Sequence, residues 1–143
     1  MPLYPTKFPF PLRRLFPNLI FEQPNNQNTI YLTFDDGPTP EVTAWVLNLL
    51  QKERVKANFF LIGNNIQKYP DIVKDIVSQG HQIANHTFNH NDAWQYSTKD
   101  YMQDVFKTED LIDQLGASKK LFRPPYGRLT PSKIAQLKKA GFK

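Results

Sequence analysis

From Asn28 onward the apolar positions switch between short runs and helical stripes. Thr29-Ile30-Tyr31-Leu32-Thr33-Phe34 is β-branched, aromatic and mostly apolar, which predicts a buried strand. Val42, Trp45, Val46, Leu49 and Leu50 then fall on one stripe and predict a helix over 40–54, with Thr39 as N-cap and Pro40 in the first turn. A second strand is expected over 57–62. A helix follows over 70–79, with Ile72, Val73, Ile76 and Val77 inward and Gly80 as its stop. Gln82 to Asn85 predicts a short third strand. Ser97 caps the longest helix, which runs to Leu115 and ends at Gly116. Leu121-Phe122-Arg123 predicts a fourth strand, stopped by Pro124-Pro125, and Thr130-Pro131 opens a last helix reaching Gly141. Alternation of this kind predicts an α/β fold of parallel βαβ units, linked right-handed and lined up as a sheet or curled into a barrel. Gly141-Phe142-Lys143 reads as a helix end just before a next strand, leaving the last strand without its neighbour.

Composition bounds this picture. A length of 143 residues predicts one domain, and 40% hydrophobic with 13% aromatic residues is enough for a packed core, which excludes global disorder. The absence of cysteine excludes disulfides and thiolate metal sites. Residues 1–26 differ from the rest: they hold six of the twelve prolines, with Tyr4, Phe8, Phe10, Phe16 and Phe21 between them. They read as an extended arm whose aromatics pack onto the domain of residues 27–143. No run is long and apolar enough to span a membrane, and the early prolines with Arg13 and Arg14 interrupt any signal-peptide core. The net charge of +5 is concentrated after Gln114, where eight Lys and Arg occur without one Asp or Glu. No helix-turn-helix or RNA-binding pattern accompanies them, so a solvated helix face is expected rather than a nucleic-acid partner.

Three motifs carry candidate chemistry. Asp35 and Asp36 lie where a strand meets a Gly-Pro turn, and adjacent carboxylates ionise together comfortably only near a cation. His86 and His90 stand four residues apart; in a helix both imidazoles would share one face, at a spacing that suits one metal ion. Arg123-Pro124-Pro125-Tyr126-Gly127 combines a guanidinium able to fork onto a carboxylate with a stiff loop able to hold the Tyr126 N–H for an oxyanion. Taken singly, these read equally as solvated acids, surface histidines and a structural loop. Jointly they fall at the carboxyl ends of predicted strands, where parallel sheets and barrels carry their chemistry.

Thr-Phe-Asp-Asp-Gly-Pro, His-Thr-x-x-His and Arg-Pro-Pro-Tyr-Gly, in that order, resemble the first three motifs of the NodB-homology polysaccharide deacetylases (carbohydrate esterase family 4), from about Thr29 to the C-terminus. The resemblance implies a distorted (β/α) barrel, incomplete as given with about four to five strands, and removal of acetyl groups from N-acetylated carbohydrate. It implies Asp35 as general base, with Asp36, His86 and His90 holding one divalent metal, zinc first, with cobalt, nickel or manganese as alternatives. It implies that Arg123 orients Asp35, that the Tyr126 N–H shares the oxyanion, and that Pro124, Pro125 and Tyr126 line the substrate site. The family's two later motifs, an Asp/Trp segment and a Leu-x-His that supplies the acid, are not found in the sequence. The chain is therefore expected to hold a metal-and-base half and to turn over slowly. An O-acetyl esterase acting on xylan and a non-catalytic glycan- or metal-binding module are the competing expectations.

Overall fold

The computed structural model of the chain describes residues 19–22 and 29–143. Strands β1 (Thr33–Gly37), β2 (Asn58–Leu61) and β3 (Gln82–Asn85) form one parallel sheet in the order β1-β2-β3. Phe34 pairs with Phe59 and Asp35 with Phe60; on the other side of β2, Phe59 pairs with Ile83 and Leu61 with Asn85. Parallel neighbours require crossovers. Helix α1 (Pro40–Lys52) connects β1 to β2, and α2 (Gly63–Lys68) with α3 (Pro70–Ser78) connects β2 to β3. Helices α4 (Thr98–Gln114) and α5 (Pro131–Lys139) follow, separated by a 3-10 turn at Pro125–Gly127. The α/β class is the one expected.

Leu121 to Arg123 extends the sheet at a single position. Phe122 forms an isolated parallel bridge with Asn85, framed by Asn85 N donating to Leu121 O and Arg123 N donating to Asn85 O, each at 3.0 Å. On the far side Phe122 N donates to Lys143 O at 3.0 Å. Among the described residues the expected four to five strands are thus three strands and a bridge. Pro124 and Pro125 stop the pairing because neither has an N–H to give.

The main core lies between the sheet and α1, α3 and α4, built from Leu47, Leu50, Phe59, Leu61, Val73, Ile76, Ile83 and Ile112. Full burial contributes about 1.5–3 kcal/mol for each such side chain. A second cluster under α4 and α5 contains Tyr101, Met102, Val105, Leu137 and Phe142. Ser97 caps α4 as expected, its Oγ accepting from Asp100 N at 3.1 Å.

Four expectations need correction. The first strand starts at Thr33 rather than Thr29, and Ile30, expected in a buried run, is 84% exposed. The α1 stripe is only half buried: Val46 and Leu50 face the sheet with Leu47, while Val42, Trp45 and Leu49 face outward. Both have one cause. Among the described residues no strand lies beyond β1, so the outer half of α1 and the start of β1 border an open apolar groove of about 210 Å³ lined by Leu32, Phe34, Trp45, Leu49 and Val55. Third, the Thr39 side chain does not cap α1; Thr39 N donates instead to Thr43 Oγ1 at 2.8 Å. Fourth, Lys133 is not on a solvated face. It is buried, and its Nζ donates to Tyr96 O at 3.0 Å. The short α2 was not anticipated, because Ile66 is its only strongly apolar side chain and sets no period. Tyr4, Phe8, Phe10 and Phe16 of the expected arm lie outside the described residues. No helix among the described residues is long and apolar enough to cross a membrane.

His81 sits at the opposite end of the sheet from the motifs. It is buried, its Nδ1 accepts from Ala57 N at 3.3 Å, and its Nε2 has no partner among the described residues. Burial, and then the Lys56 charge, hold its pKa below the ordinary 6.5. The unfolded chain therefore binds this proton more readily than the folded one. Its contribution to stability is complete above about pH 6.5 and is lost as the pH falls below it. Thermal unfolding of His81→Asn, which keeps an acceptor but cannot titrate, is expected to show a smaller loss of midpoint between pH 7.5 and 5 than the parent chain. Equal losses in the two proteins would rule His81 out as the source.

Candidate metal and acid–base site

The site is built where the strands run out. β1 ends irregularly: its register with β2 shifts between Asp35 and Gly37, and Asp36 takes a left-handed conformation at φ 67°. The irregularity breaks the alternation that would send adjacent side chains to opposite faces. The Asp36 carbonyl accepts from Asn65 Nδ2 of α2 at 2.9 Å, which ties the bulge to the next crossover.

Past β3 the chain does not turn helical, so the condition under which a helix would put both imidazoles on one face is not met. Thr87 and His90 both have positive φ, 65° and 57°, so the segment is a tight loop. Non-glycine residues in this region cost about 1–3 kcal/mol each and persist only where surroundings impose them. Here they do. Thr87 N donates to Asn85 Oδ1 at 3.0 Å, and Gly63 N and Asn64 N of α2 donate to the carbonyls of Thr87 and Phe88. Gly63 permits this approach: a Cβ there would stand 2.5 Å from both Phe88 Cδ2 and Thr108 Oγ1. The loop brings the imidazoles together by a different route from the helix, with ring centroids 5.1 Å apart.

Asp36 Oδ1 lies 3.3 Å from His86 Nε2 and 3.1 Å from His90 Nε2, and the three ligand atoms lie within 4.8 Å of one another. Two donors at about 2.0–2.1 Å from one tetrahedral ion stand about 3.3 Å apart, so the spacing fits a shared cation. The tautomers agree. His86 Nδ1 is 2.7 Å from Arg123 O, a carbonyl that can only accept, so Nδ1 carries the proton. Burial is the largest influence on His86 and lowers its pKa, against the Arg123 O hydrogen bond and the Asp35 and Asp36 charges that raise it. The neutral ring then aims the Nε2 lone pair at a carboxylate oxygen, acceptor against acceptor. A cation between them would resolve that conflict.

Beside the cluster, Arg123 reaches back from the fourth strand position across the face of Phe60, 4.0 Å from its ring centre. Its Nη1 donates to Asp35 Oδ1 at 2.7 Å and to Thr33 Oγ1 at 3.0 Å. Asp35 is thus held by the guanidinium while Asp36 faces the imidazoles: neighbours in sequence, but divided between two partners.

After Arg123 the chain makes its 3-10 turn, with Tyr126 left-handed at φ 58°. Gly127 N and Arg128 N are taken up by Pro124 O and Pro125 O at 3.2 Å each. The exposed Tyr126 ring lies edge-on to His90, centroids 4.8 Å apart. Pro124 is half-buried, and Pro125 is fully buried, so the expected contact of the Pro125 ring with substrate is not available; it packs beneath the turn. A polar cleft of about 430 Å³ opens here, bounded by His90, Asp92, Gln95, Tyr96, Tyr126 and Arg128.

Asp92 and Arg128 were missed in the sequence and join the two loops at 2.6 Å. The Trp94 N–H first, and then Arg128, hold the Asp92 carboxyl below its usual range. One signal in sequence was the isolated Arg immediately after the Arg-Pro-Pro-Tyr-Gly motif.

Fold and site together define a class: a parallel α/β scaffold with three donors spaced to suit one cation, and an arginine-held carboxylate, at the carboxyl ends of its strands. A family model described as polysaccharide deacetylase matches residues 22–143, and the chain belongs to that family. It is 41% identical over 115 residues, 80% of its length, to a peptidoglycan-N-acetylglucosamine deacetylase of Bacillus cereus, of which it covers 42%. Among solved structures it superposes on the Bc1960 peptidoglycan N-acetylglucosamine deacetylase with a TM-score of 0.80 at 38% identity, covering 83% of this chain and 56% of that one. The family 4 carbohydrate esterase from Streptomyces lividans, solved with acetate, gives a TM-score of 0.74 at 31% identity, covering 80% of this chain and 59% of that one. The chain thus spans 42% to 59% of the length of these three proteins.

Proposed function

We propose that the chain forms the metal-and-base part of a hydrolase that removes acetyl groups from N-acetylglucosamine units of a peptidoglycan- or chitin-like polysaccharide. The observation that carries this reading is the convergence of Asp36, His86 and His90 on one point beside the Asp35–Arg123 pair. Asp36, His86 and His90 would hold one divalent ion, for which zinc suits the ligand set and cobalt, nickel or manganese are alternatives. When bound, the ion supplies Lewis acidity toward the acetyl carbonyl and toward water.

The chain's own groups supply the base and the oxyanion donor, while the proton that the leaving amine takes up is drawn from solvent, since the family's Leu-x-His acid is not found in the sequence. Asp35 accepts a proton from the attacking water as general base, and Arg123 keeps that carboxylate ionised and aimed. The backbone N–H of Tyr126 donates to the oxygen on which negative charge develops. The Tyr126 ring and the polar cleft beside it take the sugar. Two of the three relatives are named as peptidoglycan N-acetylglucosamine deacetylases, which supports the N-acetyl substrate; the third is named only as a family 4 carbohydrate esterase.

The test is a zinc titration of the metal-stripped chain, paired with binding of an N-hydroxybenzamide of the kind solved with Bc1960. One zinc per chain is expected, with the N-hydroxybenzamide bound only in the zinc form. Acetate release, where measured, is expected from chitin oligomers ahead of acetylated xylan; the reverse order would favour the O-acetyl esterase. N-hydroxybenzamide binding that ignores zinc removal would remove the metal reading.

A further inference from the structure

The loop between the two imidazoles is held from below by one buried acid on α4. Asp104 is 8% exposed, and its Oδ2 accepts from Phe88 N at 2.7 Å and from Asn89 N at 3.1 Å. Its Oδ1 accepts from Asn89 Nδ2 at 2.6 Å. Every donor it takes lies between His86 and His90. From above, α2 amides occupy the carbonyls of Thr87 and Phe88 at 2.9 and 3.0 Å. The loop has no ladder of its own, so its Phe88 and Asn89 amides depend on this carboxylate, and the residue that follows them is the left-handed His90. A carboxylate that accepts two consecutive backbone N–H groups fixes the peptide planes, and with them the direction in which the next side chain leaves.

We propose that Asp104 is a positioning residue for the metal centre: it sets the distance between the His86 and His90 Nε2 atoms without touching an ion. The inference rests on the proposed reading of Asp36, His86 and His90 as ligands. Buried partners that orient ligands typically govern metal affinity by about 10–100-fold.

The test compares Asp104→Asn with Val105→Ala, a cavity variant at a fully buried neighbour on the same helix. Zinc affinity of the folded chain is expected to fall by about 10–100-fold in Asp104→Asn and to stay near the parent value in Val105→Ala. The double variant Asp104→Asn/Asn89→Asp exchanges donor and acceptor across the 2.6 Å contact and is expected to recover most of the loss. A metal-free readout accompanies these: amide exchange at Phe88 and Asn89 is expected to speed up in Asp104→Asn beyond its rise in Val105→Ala.

If Asp104→Asn does not fold, Asn89→Ala removes one of the three contacts alone and is expected to give a smaller loss of affinity together with faster exchange at Phe88. Parent-like affinity and parent-like exchange in Asp104→Asn, or in Asn89→Ala where that variant stands in, would overturn the proposal. A parent chain that binds no zinc, while Asp104→Asn still loosens the loop amides, would instead overturn the ligand assignment and leave Asp104 holding the loop.

Discussion

His90→Ala is expected to lower zinc affinity by more than about 100-fold, beyond the loss typical of an orienting partner, because it deletes a ligand outright. Calorimetric titration of the metal-stripped chain measures this directly. His90 is the better choice of the two imidazoles. Its side chain is 26% exposed, whereas that of His86 is 3% exposed and bonded to Arg123 O, so truncating His86 would also open a cavity and strand a carbonyl. The fold of His90→Ala is therefore expected to survive, with a thermal midpoint close to that of the metal-free parent. Unchanged zinc affinity in a folded His90→Ala chain would dismantle the shared-cation reading.

The second large effect separates the two aspartates. Asp35→Asn is expected to reduce acetate release by about 10²–10⁴-fold, the usual contribution of a general base. Zinc affinity is expected to change little, because the Asp35 carboxylate is spent on Arg123 Nη1 at 2.7 Å and not on the imidazoles. Asp36→Asn should behave in the opposite order, losing metal first. If Asp35→Asn loses zinc as readily as Asp36→Asn, the division of labour between these neighbours is wrong, and both belong to the ion.

The strands and long helices were readable because period and punctuation agree. Val73 and Ile76 face the core as the stripe predicts, and Gly80 and Gly116 end their helices with positive φ. The reactive groups were readable because each sits in a compact motif at a strand end. Their geometry was not. A helix would have brought His86 and His90 onto one face, but the backbone turns left-handed at Thr87 and His90, which no hydrophobic pattern encodes. The structure meets the same spacing requirement through a strained loop.

The groups that impose that loop lie far away in sequence. Gly63 and Asn64, whose amides take the Thr87 and Phe88 carbonyls, belong to a helix too short to announce itself. Asp104 and Glu109 resemble ordinary polar residues of a surface helix, but a sharper reading was available. Tyr101, Asp104, Val105, Thr108, Glu109 and Ile112 fall on one helical face, and all are buried. Two acids and a threonine among core residues signal buried work for their side chains. Glu109 does that work on Asn85, whose Nδ2 donates to it at 2.9 Å while the Asn85 Oδ1 takes the Thr87 amide. The exposed half of the α1 stripe misled for the opposite reason: period says which residues share a face, not whether anything lies against it.

The groove beside β1 also has a practical side. Trp45 is 65% exposed there, with Leu49, Val55 and Leu32 around it. Oily surface of this kind, next to a strand whose outer flank no other described strand pairs, invites dye uptake, adsorption to column resins and crowding into aggregates. Tryptophan emission from Trp45 will therefore redden or blue-shift with whatever settles on that face, and replacing it by Phe leaves Trp94, beside the cleft, as a quieter optical reporter of sugar binding.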